Sequence, residues 1–261
     1  MKLNEVLQGF SGIKLEEMSQ VKLMNRTDRK YWFNADLLPE ILDAVKDDYF
    51  ALEIDGDFLL PYATTYYDTQ DNDMYSEHHR GKLNRFKIRR RNYATTSTSF
   101  LEIKFKSNKG RTVKERIPTD YQRPEFNTTE YNFINNHCPY DTKNLSPVLI
   151  NGFNRLTLVN KNMRERCTID QNIRFKGQDN KFTLEHLVIV EVKTEGHNAF
   201  SPIIQALKER RIKTSGFSKY CIGRSIADNH LKINTFKKKH RQIEKKIETS
   251  LHTLINKYNK A

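Results

Sequence analysis

Between Arg85 and Lys106 the chain reads R-F-K-I-R-R-R-N-Y, then A-T-T-S-T-S, then F-L-E-I-K-F-K. Side chains on a β-strand alternate between faces. Arg85, Lys87, Arg89 and Arg91 therefore project together, with Phe86 and Ile88 on the opposite face. After the polar turn, Phe100, Leu101, Ile103 and Phe105 alternate with Glu102, Lys104 and Lys106. The pattern predicts a hairpin with one apolar face and one face of converging cations. Like charges opposite one another on a sheet repel, so exposed strands ordinarily mix signs. One reading is a solvated basic hairpin guarding a sheet edge with Lys and Arg. The other is that the charged face lines an enclosure holding a polyanion. The hairpin alone supports both.

A chain of 261 residues holds one large domain or two small ones. Hydrophobic residues, 37% of the total and spread along the chain, are enough for a packed core. The net charge of +13 points to an anionic partner: nucleic acid, a membrane surface or a phosphorylated small molecule. Cys138, Cys167 and Cys221 are odd in number and widely spaced. They form neither a disulfide framework nor a zinc motif, which fits a reducing compartment. The opening M-K-L-N-E-V-L-Q-G-F lacks the apolar run of a signal peptide, and no stretch is long and apolar enough to span a bilayer. A soluble cytoplasmic protein is expected.

Residues 1–25 read as a helical lead-in, with Leu15, Met18 and Val21 or Leu23 as a modest apolar stripe. In R-T-D-R-K-Y-W-F, Arg26, Asp28 and Lys30 alternate as on a strand. Asn34 can cap a helix whose Leu38, Ile41, Leu42 and Val45 recur at helical spacing, with Pro39 in its first turn. Tyr62–Asp68 reads as a strand, and Tyr75–His79 as a short helical or irregular link. His78 and His79 have no third ligand spaced to help them bind metal. T-V-K-E-R-I continues the strand pattern with Lys114 and Arg116 on one face, and Asn127–Asn136 reads as a helix. Leu149–Val159 and Arg164–Asp170 are strands carrying Arg155, Arg164 and Arg166. The most β-prone stretch is Leu184–Lys193, on which Glu191 and Lys193 share a face. Ser201-Pro202 opens a helix that stops before Gly216. Residues 232–261 form an amphipathic helix with a basic face, placed either against the rest of the fold or on a membrane surface.

Many strands, few helices, and cations recurring on one strand face suggest a closed barrel with a charged lumen. Cations in such a lumen are costly unless water or an anion occupies it. A phosphate-rich ligand meets that need. The sequence holds no G-x-x-x-x-G-K-S/T loop, no G-x-S-x-G and no H-E-x-x-H. Phosphoryl transfer needs none of these, because positioning and charge neutralisation suffice. Arg holds phosphate with two parallel hydrogen bonds and Lys as a point charge. Glu191 and Glu102 sit in otherwise basic strands, E-V-K and E-I-K. Each reads equally as a metal ligand or as half of a structural ion pair.

R-T-D-R-K-Y-W, Y-Y-D-T, F-K-I-R-R-R, F-L-E-I-K-F-K, V-K-E-R, G-F-N-R, R-E-R-C-T-I-D, I-V-E-V-K and S-G-F-S-K-Y-C-I-G, in this order, resemble the VTC domain. That family comprises polyphosphate polymerases of the triphosphate tunnel metalloenzyme fold, relatives of the CYTH domains. The resemblance covers roughly residues 20–228. It implies an α+β fold: a closed eight-stranded antiparallel β-barrel forming a basic tunnel, with flanking helices. The expected division is a lead-in at 1–25, the tunnel domain at 26–231 and the C-terminal helix at 232–261. By motif position, the phosphate-binding residues would be Lys30, Lys87, Arg89, Lys104, Lys114, Arg116, Arg155, Arg166, Lys193 and Lys219. Of these, Lys87, Arg89, Lys104, Arg155, Arg166 and Lys219 would serve catalysis. Glu191 would hold a divalent metal, Mn²⁺ or Mg²⁺, with Glu102 as a second candidate ligand.

The partners implied are ATP and inorganic polyphosphate or triphosphate, rather than nucleic acid. Where tunnel relatives carry E-x-E-x-K, this chain reads R-x-D-x-K, with Asp28 at the second acidic position. That departure weakens a hydrolase assignment and a second metal ligand on this strand. The SPX domain and membrane helices of fungal members are not expected here. The reading is a polyphosphate polymerase that adds the ATP γ-phosphoryl to a growing chain. Its alternatives are a tripolyphosphatase or nucleoside triphosphatase with water as acceptor, and a non-catalytic binder of polyphosphate or nucleic acid.

Overall fold

The computed structural model describes residues 2–18, 26–196 and 200–259. Its strands are β1 (Ser11–Ile13), β2 (Arg26–Asn34), β3 (Tyr49–Leu52), β4 (Leu60–Thr69), β5 (Arg85–Tyr93) and β6 (Thr98–Lys106). They continue with β7 (Thr112–Pro118), β8 (Leu145–Asn160), β9 (Glu165–Lys176), β10 (Lys181–Leu184) and β11 (Leu187–Glu195). The helices are α1 (Leu3–Leu7), α2 (Leu15–Met18), α3 (Leu38–Asp43), α4 (Asp73–His79) and α5 (Thr128–His137). They end with α6 (Pro202–Glu209), α7 (Lys219–Ala227), α8 (Lys237–Ile247) and α9 (Leu251–Asn259). Two compact units share the chain: 1–61, 153–173 and 184–217 form the first, and 62–152, 174–183 and 218–261 the second. β8 and β9 are long enough to contribute residues to both.

In the first unit β2 pairs with β11, and β11 with β9, both antiparallel. β3 pairs antiparallel with β8 and parallel with β1. The period-two pattern of β11 decides which face is buried. Val188, Val190 and Val192 turn inward with Tyr31 and Phe33 of β2 and Cys167 and Ile169 of β9. Against this face pack Val6 and Leu7 of α1, Leu38, Ile41 and Leu42 of α3, and Ile203 and Leu207 of α6. Each such fully buried side chain contributes about 1.5–3 kcal/mol. Asn34 caps as expected, but what it caps is a 3₁₀ turn at Ala35–Leu37, where its Oδ1 accepts the Asp36 N–H at 2.9 Å. Ser201 Oγ accepts the Ile204 N–H at the start of α6, ahead of Pro202.

The second unit is an antiparallel run of β4, β5, β6 and β7, with β8 on the other side of β4. Tyr67, Ile88, Leu101 and Ile103 form its buried face, covered by Met74 of α4 and Phe133 and Ile134 of α5. Asn127 and Glu130 cap α5 reciprocally, each side chain accepting the other's backbone N–H at 2.9 Å. α7 lies so close to the sheet that a Cβ on Gly223 would meet Phe175 Cδ1 at 2.6 Å and Leu149 Cδ2 at 2.7 Å.

Three expectations need correction. The sheet has eleven strands, not eight, and its path runs β2-β11-β9-β8-β4-β5-β6-β7 without closing. Among the described residues no backbone ladder joins β2 to β7. The free side of β2 is taken by an irregular segment, whose Ser215 N–H donates to the Lys30 carbonyl at 2.8 Å. β7 is an exposed edge along nearly its whole length. The antiparallel sheet with flanking helices does agree with the α+β expectation.

The lead-in is not a continuous helix: α1 and α2 are single short turns separated by β1, and Val21 and Leu23 lie outside the described residues. The C-terminal segment breaks in two at Glu248, whose left-handed backbone (φ 54°) ends α8. Among the described residues no helix is long and apolar enough to cross a membrane.

Gly223→Ala sets two effects against each other. Helix propensity favours alanine by about 1 kcal/mol, while overpacking a core costs about 1–3 kcal/mol. With Phe175 and Leu149 both under 3 Å away, the steric term wins. The denaturant midpoint of Gly223→Ala should fall below that of the wild type; an equal or higher midpoint would show that α7 can lift from the sheet without cost.

Candidate phosphate-binding faces

Pairing register places the expected site residues in two groups, one in each unit. In the first unit, Glu191 lies opposite Lys30 on β2 and Thr168 on β9, and Lys193 lies opposite Asp28 and Arg166. All belong to the face turned away from the valine-rich core, because side chains two residues apart share a face. Glu191 is clamped: Lys30 Nζ is 3.1 Å from Oε1 and Lys193 Nζ 2.9 Å from Oε2. Lys193 Nζ also reaches Asp28 Oδ2 at 3.4 Å. Burial pushes the Glu191 carboxyl up, but Lys30 and Lys193 outweigh it and hold the group well below the usual carboxylate range. Arg155 grips Asp170 with two bonds, Nε to Oδ1 at 2.6 Å and a terminal nitrogen to Oδ2 at 2.9 Å.

In the second unit one row runs across three strands and a second across four. Lys87, Lys104 and Lys114 are in register, and so are Tyr66, Arg89, Glu102 and Arg116. With Arg85, Arg91 and Lys106 on the same face, eight cations meet the single carboxylate of Glu102. Two unit charges 5 Å apart at an effective dielectric near 20 repel by about 3 kcal/mol. Such a face needs counter-charge. Glu102, only 1% exposed, supplies part of it through Arg89 at 2.6 Å and Lys114 at 3.1 Å. Burial raises its carboxyl, yet Arg89, Arg91 and Lys114 pull it down to about 2. Burial likewise raises the Tyr66 phenol, and Arg89, Arg91 and Lys87 more than offset this.

α7 contributes its first turn to the same unit. Lys87 Nζ donates to Ser218 Oγ at 3.1 Å and lies 5.9 Å from the centre of the Tyr220 ring. The Ser218 hydroxyl also accepts the Cys221 N–H, and Lys219 follows it as the first residue of the helix. Tyr220 in turn donates its hydroxyl to the buried Asp68 carboxylate. Asp68 further accepts the backbone N–H groups of Thr69, Met74 and Tyr75 at 2.9–3.1 Å. This ties α7 to the end of β4 and the start of α4.

The profile of the VTC domain matches residues 25–227. The chain belongs to the VTC domain family. No curated protein matches it. Among solved structures it is similar to a candidate adenylyl cyclase from Hippeastrum, described as having a dominant triphosphatase activity. That likeness has 14% identity and a TM-score of 0.47, covering 77% of this chain and 96% of the other. A candidate adenylate cyclase from Bacillus halodurans gives 12% identity and a TM-score of 0.45, with 82% and 100% covered. One from Vibrio parahaemolyticus gives 10% and 0.45, with 76% and 99% covered.

Enzymes of this family generally use divalent metals. The two candidate ligands differ in how they suit one. Among the described residues no three His, Cys, Asp or Glu side chains converge into a full protein cage. Mg²⁺ commonly needs less, one or two carboxylates with substrate phosphates and water completing its shell. Glu191 fits that role: it is ionised and part-exposed, and Lys193 draws Asp28 toward it. Glu102, like Glu191, has both oxygens on cations, but it has almost no exposure, which favours its ion-pair reading. Three residues beyond the expected set also shape these faces: Tyr66, Asp68 and Thr168, whose buried Oγ1 opposite Glu191 has no hydrogen-bond partner among the described residues.

The Glu102 carboxyl titrates near 4.5 when unfolded and at about 2 when folded. The unfolded chain therefore binds the proton more readily below pH 4.5. The stabilisation, about 3 kcal/mol, is full above that pH and disappears as pH falls through 2. Glu102→Gln should lower the denaturant midpoint at pH 7, with the gap to the wild type closing between pH 5 and 2. Parallel curves over that range would show that the pair contributes no acid-sensitive stability.

Proposed function

We propose that this chain is a metal-dependent polyphosphate polymerase that transfers the γ-phosphoryl group of ATP to the end of a growing polyphosphate, releasing ADP. VTC membership supports a tunnel enzyme of phosphoryl transfer. The observation that favours a polymer end over water as acceptor is the state of three carboxylates on these faces, Glu191, Glu102 and Asp170. Water must lose a proton as it attacks, and a useful general base titrates near the working pH. Glu191 and Glu102 are both held far below it by cations, and Asp170 is fully engaged by Arg155. None of them is suited to take a proton. The terminal phosphate of a polyphosphate is already ionised near neutral pH and asks for no base.

On this reading each charged face works by position and charge. Lys87, Lys104, Lys114, Arg89, Arg116 and Lys219 bind phosphate oxygens on the second unit; Lys30, Arg155, Arg166 and Lys193 do so on the first. Lys30 and Lys193, now paired with Glu191, would also pair with an arriving phosphate, and Glu191 is the residue that would hold a divalent cation. That cation, Mg²⁺ or Mn²⁺, would supply charge neutralisation at the transferred phosphoryl group. Glu102 keeps Arg89 and Lys114 extended across the sheet, as a positioning residue. Arginine is suited to the equatorial oxygens of the transferred group because it can bond two of them at once.

Purified protein incubated with ATP and Mn²⁺ should accumulate long polyphosphate on gels, with ADP formed and little free phosphate. Release of phosphate in proportion to ATP consumed would instead establish the triphosphatase. Binding of polyphosphate without turnover on Mn²⁺, Mg²⁺ or Co²⁺ would end the enzyme reading. Glu191→Gln keeps the shape and removes a ligand charge, so turnover should drop by on the order of 10²–10³-fold while nucleotide binding weakens far less. If Glu191 only pairs with lysines, the variant should melt earlier and keep its turnover per folded molecule.

A further inference from the structure

α8 lies outside the part of the chain that matches the VTC domain, which ends at residue 227. Its first turn is K-K-K, with no acidic residue. Cations there oppose the positive end of the helix dipole, and a local rule broken on a surface often marks a functional one. At 3.6 residues per turn, Lys237, Arg241 and Lys245 stack at i, i+4 and i+8, and Lys238 falls beside them within an arc of about 100°. All four are exposed, and none has an ion-pair partner among the described residues. Glu244, the nearest acid on the helix, has one oxygen on the Leu251 N–H. Burial and the neighbouring Lys238 push the Lys239 ammonium down, as crowding of like charge should.

The opposite face settles what kind of partner this stripe fits. Ile243 and Ile247 are buried, together with Leu251 and Leu254 of α9. A helix that lies in a bilayer interface must sink its apolar face into lipid, and here that face is already used. The stripe carries no aromatic ring on which the bases of a single-stranded nucleic acid could stack. What remains is a row of point charges about 12 Å long, suited to a flexible linear anion without bases.

We propose that the exposed face of α8 is a holding surface for inorganic polyphosphate, carried on a helix rather than on the strands of the sheet; the identity of the anion rests on the polymerase reading. A chain end held locally after each transfer is more often extended again than lost, since tethering raises its effective concentration. The surface therefore governs the length of the product rather than the rate of transfer.

The test compares the full chain with Lys237→Ala/Lys238→Ala/Arg241→Ala/Lys245→Ala, all exposed positions whose removal should leave the melting curve unchanged. The probe is long-chain inorganic polyphosphate, titrated at several salt concentrations. The variant should bind it at least about tenfold more weakly and with a shallower salt dependence, while tripolyphosphate binding stays as in the wild type. From ATP it should release ADP at the wild-type initial rate yet give shorter polyphosphate. Unchanged affinity for the long chain overturns the proposal. So does a loss confined to RNA or to anionic phosphatidylserine vesicles, which would assign the stripe to another partner. A wild type that makes no polymer refutes the polymerase reading, and the titration still decides whether α8 holds the chain. An unfolded variant is replaced by Lys238→Gln/Arg241→Gln under the same criteria.

Discussion

Repulsion among the cations of β5, β6 and β7 is the constraint around which the second unit is arranged. Lys87, Lys104 and Lys114 stand in one row across three hydrogen-bonded strands, a placement that sheets ordinarily avoid. The strands hold because their other face is driven together by Ile88, Leu101, Ile103 and the helices covering them. Hydrophobic burial thus carries the electrostatic load. Glu102 relieves only part of it, and the charge left over is what makes the face receptive to an anion.

Neither charged face is loose. In the first unit the Tyr49 hydroxyl bonds the buried Glu165 carboxylate and also accepts the Ile203 N–H, fixing the start of α6 behind the sheet. In the second, Asp68 gathers Tyr220 and the first turn of α4, and Arg224 beneath it bonds Asp228 and Asn72. These buried polar sets lie behind or beside the strands that carry the phosphate-binding candidates. Both sets are only partly satisfied, since Glu165 Oε2 and Arg224 Nη1 have no hydrogen-bond partner among the described residues; the bonds that are made still restrict the strands and helices they join. The phosphate binding proposed for these faces would gain from such rigidity, because little ordering would be left to be done when the anion arrives.

Alternation along Arg85–Lys106 was enough to read the hairpin, its two faces and the row of cations, because a half-buried strand writes its geometry into period two. The same logic reads Glu191 and Lys193 together on β11. Arg90 defeats it. Its position puts it on the apolar face, where it is 1% exposed and paired with Glu130 at 2.9 Å. The partner comes from a helix cap forty residues on, and nothing in a local pattern announces so distant a contact. The left-handed turn at Glu248 was equally hidden, since a residue other than glycine gives little warning of positive φ. Strand number and closure depend on how edges are covered. Ser215 against Lys30 is a backbone contact between an irregular segment and β2, invisible to any side-chain periodicity. The opposition of Tyr66 and Arg89 follows only from register, which the sequence of one strand does not contain.

The open edge at β7 has a consequence for how the molecule behaves in a crowd. Its backbone is exposed and ready to pair with a second copy, yet Lys114 and Arg116 stand along it. Two such edges approaching each other bring cation against cation, which keeps copies apart as long as the charge is bare. A long polyanion removes that protection and can also thread from one molecule to the next. The charge that the proposed polymerase would use on phosphate thus makes solubility depend on the ratio of polymer to protein: safe when either is in large excess, and prone to clustering near the point where their charges balance.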